Sequence, residues 1–166
     1  MRLPGKRLSQ AGVSLARRVG HDRGPFNRVV TSELARAYET AIAMGFAVDA
    51  RSRLLSNWGA DPFVGIDPST GFAAVAAAVR RGGEFARFAD AQLGLWRSIV
   101  SSLPEGGQGL VVTHGGFVEA GTVAALPDLD FESWGGWCRY CEGVRLAYDG
   151  QRFADAELLR VEASVE

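Results

Sequence analysis

The sequence has almost no lysine, cysteine or histidine, and no long apolar run. Lys6 is the single lysine among 18 basic residues, so arginine carries the positive charge. Acidic residues balance it to a net charge of −1, which removes the electrostatic footprint of a nucleic-acid binder. Two cysteines cannot staple a secreted scaffold. No stretch stays apolar long enough to cross a bilayer. The start, Met1–Arg7 (MRLPGKR), lacks the apolar core of a secretory signal. A reducing cytoplasm, no membrane and no nucleic-acid partner are the expectations. The bias toward Arg, Ala and Gly points to a GC-rich, bacterial coding sequence.

What is present suits one folded unit. With 47% hydrophobic and 22% charged residues, a chain of 166 has the core-forming capacity of a single domain, 1–166. A turn at Pro4–Arg7 leads to Ser9, an N-cap residue type, and to Val13, Ala16 and Val19 at helical spacing. Phe26–Thr31 reads as a strand after the Gly24-Pro25 break. Ser32 is placed to cap the next helix, with Leu34, Ala37, Ala41 and Met44 as its apolar stripe. Phe46–Val48 reads as a further short strand. Residues 52–70 are irregular, which is long for a connection and often functional. Phe72–Arg81 and Glu84–Leu103 are helical, the second with a stripe through Phe85, Phe88, Gln92, Leu95, Ile99 and Leu103. Leu110–Val112 reads as a buried parallel strand. A helix follows it to Leu126, and Val144 onward, around Asp149-Gly150, reads as a β-hairpin.

Strands alternating with helices give an α/β sheet covered on both faces, with ligands at the carboxyl ends of its strands. Two segments put polar groups there. In Thr113-His114-Gly115-Gly116 the glycines let a ligand approach the backbone, and the helix start that follows offers N–H groups to an anion. In Thr31–Arg36 the guanidinium of Arg36, one turn into its helix, can reach back toward an oxyanion and grip it with two bonds. Each alone has an ordinary counterpart, a strand-end histidine or a solvated helix arginine.

The two segments also resemble known motifs. Val29–Thr40 (VVTSELARAYET) is similar to the "VxSxLxRAxET" segment of the histidine phosphatase, phosphoglycerate-mutase-like family. Leu110–Gly116 (LVVTHGG) resembles its "LVVSHGG". Leu8–Gly12 resembles its "LTxxG", and Gly82-Gly83-Glu84 its "GGES", in the family's order. The resemblance implies a three-layer α/β/α fold with a mostly parallel sheet and a C-terminal β-hairpin. It implies phosphomonoester hydrolysis or phosphoryl mutation through a phosphohistidine, with no metal and no cofactor. Two Arg and a second His clamp the phosphate there, and a carboxylic acid protonates the leaving oxygen. Carried over by position, Arg36 is the second Arg and His114 the second His, with Gly115 beside the phosphate. The ligand implied is a phosphorylated small molecule or inorganic phosphate.

The departures are as informative. No Arg-His-Gly occurs in the chain, and the other histidine is His21, between a helix and a strand. The expectation is a domain lacking its first, central strand and nucleophilic His, and therefore inactive. Two neighbouring strands would then lack partners unless the packing rearranges or a second copy, as in a homodimer, covers them. Where the family carries its Glu, this chain has Ser56–Gly59. Asp61 is the nearest carboxylate and the candidate general acid, although a loop Asp commonly serves a turn; Glu84 is a further carboxylate. The alternative is a non-catalytic module binding a phosphorylated ligand or a protein. A more distant one is a thiol redox or metal site at Cys138 and Cys141, in Trp137–Cys141 (WCRYC). Trp134, Trp137 and Phe131 read as a satellite core cluster or a pocket lining.

Overall fold

The computed structural model describes residues 5–162, so Pro4 of the expected opening turn lies outside them. Ser9 caps helix α1 (Gln10–Gly20), its Oγ accepting from Gly12 N–H at 3.1 Å. Ala16 and Gly20 are the buried points of that helix, and Val13 and Val19 are half-buried.

Strand β1 (Arg28–Ser32) lies at the centre of the sheet. Its last four residues are all buried. Successive strand residues face opposite ways, so both faces of β1 are covered. β2 (Ala50–Ser52) and β3 (Gly109–Val112) flank it, both parallel to it. The pairings Ser32 with Ser52 and Thr31 with Val112 bring the three carboxyl ends to one edge. Helix α2 (Ala35–Ala43) packs on β1 and β3. Helix α4 (Gly83–Ser101) covers the Val30 face through Ile99. The result is the expected α/β fold with helices on both faces of a parallel sheet.

Two expectations change. Phe46–Val48 is not a strand; Phe46 instead packs its ring edge-on against Phe26, 4.8 Å between centroids. The strand comes later, at the polar Ala-Arg-Ser of β2, because an edge strand needs backbone pairing more than burial. Leu110–Val112 is half-buried, since β3 forms the other edge. β1 bonds both β2 and β3, which each pair on one side only, and β4–β5 stands apart from them as a second sheet.

Helix α3 (Gly71–Arg81), α4 and α5 (Phe117–Ala125) enclose the main core around Phe72, Phe88, Phe117 and Val123. Phe131 stacks on Phe72 at 5.9 Å, and Trp134 meets the same ring edge-on at 5.1 Å. These two aromatics thus belong to the main core, not to a satellite cluster. β4 (Gly143–Tyr148) and β5 (Phe153–Leu159) form the predicted antiparallel hairpin as a separate two-stranded sheet. Asp149 Oδ1 closes its turn by accepting from the N–H groups of Gln151 and Arg152.

Candidate functional site

The carboxyl ends of β1 and β3 meet through a side-chain bond. Ser32 Oγ lies 2.8 Å from His114 Nε2. Ser32 was expected to cap α2, yet the cap position falls to Leu34, which has no side-chain bond to offer. The hydroxyl keeps a trace of that role by accepting from Leu34 N–H at 3.3 Å. The same oxygen has a hydrogen to give and a second lone pair, so it can either donate to or accept from Nε2, according to the tautomer of the ring.

Burial first, and then the Arg36 cation nearby, push His114 down from 6.5 to about 4. At neutral pH the imidazole is therefore uncharged and the exposed guanidinium of Arg36 is the cation of the pair. The pH consequence follows from the sign. The unfolded chain takes a proton on this histidine below about 6.5, and the folded chain only near 4. Stability from this group is complete above 6.5 and falls as pH drops toward 4. The slope is at most about 1.4 kcal/mol per pH unit, and less for a ring partly open to solvent. Urea midpoints between pH 6.5 and 5 should fall for the wild type and stay nearly level for His114→Asn. Equal slopes would contradict this placement of the ring.

Neighbouring groups hold the two strand tips. Thr113 Oγ1 donates to Leu55 O at 2.6 Å, and buried Gln92 donates to Leu54 O at 2.8 Å, fixing the turn after β2 beside β3. Glu39 accepts from Leu8 N–H at 2.7 Å and from Arg7 at 2.6 Å. The segment before α1 is thereby laid along α2, where a Cβ on Gly5 would sit 3.7 Å from Arg36 Nη1.

The start of α5 differs from the open anion site that the glycines suggest. Gly116, at φ 86°, turns the chain into the helix. Its N–H goes to Glu119 Oε2 at 2.5 Å, while the N–H groups of Phe117 and Val118 go to His114 O. Glu119 is fully buried, and its other oxygen accepts from Cys138 N–H at 2.5 Å. The protein's own carboxylate therefore fills this helix terminus. Above it, a Cβ on Gly116 would meet the rings of Phe63, at 2.6 Å, and Trp137, at 3.1 Å. Phe63 reaches in from the irregular segment and touches Phe85, Phe88, Phe117 and Trp137. The segment 134–142 is tied down by Arg160, which donates to the carbonyls of Trp134, Gly136 and Trp137 and to Glu142.

Arg36, His114 and Gly115 thus gather at one edge, and the other candidates do not join them. Asp61 is exposed and turns Oδ1 back onto Phe63 N–H at 2.9 Å, the local turn that competes with an acid role. Glu84 accepts from Trp58 Nε1 at 2.6 Å and pairs with Arg87 at the head of α4. His21 is exposed at the end of α1, 4.0 Å from Asp22. Burial, with the Glu119 carboxylate beside it, pushes the Cys138 thiol far up, and burial raises Cys141 as well. No helix follows them, since β4 begins at Gly143, so neither requirement of a reactive thiolate is met. Among the described residues no three His, Cys, Asp or Glu side chains are grouped to hold a metal ion. No helix among them is long and apolar enough to cross a membrane.

No protein-family model and no curated protein matches the sequence. Solved structures do. A mycobacterial glucosyl-3-phosphoglycerate phosphatase in complex with VO3 superposes with a TM-score of 0.63 over 95% of this chain and 88% of its own, at 22% identity. The fold is phosphoglycerate-mutase-like. An open-reading-frame product of Mycobacterium tuberculosis gives 0.55 at 18% identity, covering 95% of this chain and 87% of its own. A Thermus thermophilus protein gives 0.56 at 20% identity, covering 93% and 85%. At such identities the likeness fixes the architecture alone.

Proposed function

We propose that this chain is a single-domain histidine phosphatase family protein whose Arg36 and His114 hold a phosphoryl group, as inorganic phosphate or on a small phosphomonoester. The observation that carries this is the meeting of the two strand tips: His114 held by Ser32 at 2.8 Å and under the influence of the Arg36 cation. Arg36 supplies a planar, permanent charge, and His114 a hydrogen-bonding group that gains a proton when an anion approaches. Gly115 leaves room beside them. A structural neighbour that is a phosphatase, described with VO3, agrees with this ligand class.

The 166 residues bind without transferring. Transfer through a phosphohistidine needs a second imidazole in the pocket, and the one other histidine, His21, is an exposed residue at the far end of α1. Nor does Asp61 offer an acid, its carboxylate being engaged by a local turn. The residues given therefore support phosphate binding, and hydrolysis or mutation of a phosphomonoester would need a further imidazole that they do not supply. Calorimetric titration with inorganic phosphate should show binding by the wild type, weakened tenfold or more by Arg36→Ala and by His114→Ala. An aryl phosphate should not be hydrolysed above background. Unchanged binding in both variants would refute the pocket. Robust hydrolysis, with phosphate on His21, would refute the absence of transfer.

A further inference from the structure

Glu119 is the buried acid that the binding pair does not use. It is fully enclosed, although acids are rarely buried without partners. Its partners are two backbone amides from distant parts of the chain: Gly116, which follows the His114 turn, and Cys138, in the segment under Arg160. The Cys138 carbonyl lies 3.5 Å from where a Cβ on Gly115 would be, and the Trp137 ring 3.8 Å from it. One carboxylate thus joins the turn after His114 to the segment packed over Gly115. A glutamine could not do the same, because one of its two oxygens would become an NH2 that faces an N–H. An aspartate would keep the charge and lose the span.

We propose that Glu119 is the positioning residue of the phosphate pocket, holding Gly116 and Cys138 together so that His114 stays desolvated and correctly aimed. This rests on the phosphate pocket proposed for Arg36 and His114. It also assigns the binding energy. Since Glu119 fills the helix terminus, the incoming anion is held by the Arg36 and His114 side chains rather than by the start of α5.

The test compares Glu119→Gln and Glu119→Asp with Val123→Ala, a core truncation in the same helix at a residue only 2% exposed. Phosphate titrations are made well below each melting temperature. Both Glu119 variants should bind phosphate at least tenfold more weakly. Val123→Ala, though destabilised, should stay within twofold of wild type. Should the Gln variant not fold, the Asp variant decides by the same criterion. Binding within twofold of wild type in the folded Glu119 variants, or an equal loss in Val123→Ala, would overturn the assignment. If the wild-type chain takes up no phosphate, the pocket itself is refuted, and Glu119 is judged by the NMR titration of His114. Its midpoint should rise from about 4 toward 6.5 in the variants as the segment over Gly115 loosens. An unchanged midpoint would overturn the positioning role.

Discussion

Phe88→Ala is expected to cost about 3–5 kcal/mol, the usual loss for truncating a fully buried aromatic. Phe88 has no exposed surface and sits among four other rings: Trp58 at 5.5 Å, Phe63 at 5.3 Å, Phe85 at 5.7 Å and Phe117 at 5.0 Å. These rings come from the irregular segment, from α4 and from the start of α5. Because the rings are held by three separate elements, the cavity cannot close by a small shift of one of them. Against a total stability of about 5–15 kcal/mol, the loss leaves a weakly folded protein. Urea unfolding should show a much lower midpoint with a similar slope. A midpoint near that of wild type would mean that these elements do not pack as described.

Gly71→Ala should cost about 2–4 kcal/mol for a different reason. Gly71 begins α3 at φ 60°, and a Cβ there would lie 1.9 Å from Gly135 O and 2.6 Å from Gly136 Cα. Both obstacles are backbone, so no rotamer change relieves them. The left-handed conformation costs about 1–3 kcal/mol for a residue with a Cβ. Displacing residue 135 also breaks the Phe72 N–H bond to Gly135 O, worth about 0.5–1.5 kcal/mol. Because the displaced segment leads into Trp137 and Cys138, phosphate binding should weaken along with stability. Gly94→Ala is the control. It lies within α4 with nothing near its added Cβ, and should stabilise by up to about 1 kcal/mol. A harmless Gly71→Ala would place the 134–142 segment elsewhere.

The parts of this fold that could be read from the residues are those with a local cause. Ser9 caps because a hydroxyl at that place satisfies an orphan N–H. Asp149-Gly150 turns because the aspartate side chain accepts from the amides two and three residues on. The paired tips at Thr31–Arg36 and Thr113–Gly116 were visible because strand-to-helix junctions collect polar side chains and glycine. Features settled by distant packing were not. Apolar Phe46–Val48 resembles a strand in pattern, but Phe46 is claimed by Phe26, whereas polar Ala50–Ser52 becomes β2 by pairing with β1. Phe63 looks like an exposed loop aromatic until four rings surround it. Glu119 did leave a signal, an acid three residues after a glycine at a helix start, which is the capping-box spacing. Its second bond, to Cys138, has no local trace.

The most direct test of the central claim follows His114 itself. The imidazole resonances of the wild-type chain are titrated by NMR with and without inorganic phosphate. Without phosphate the midpoint should lie near 4. With saturating phosphate it should move upward, because an anion between Arg36 and His114 stabilises the protonated ring, and Arg36→Ala should abolish most of that movement. A midpoint that ignores phosphate would contradict a shared pocket at the two strand tips.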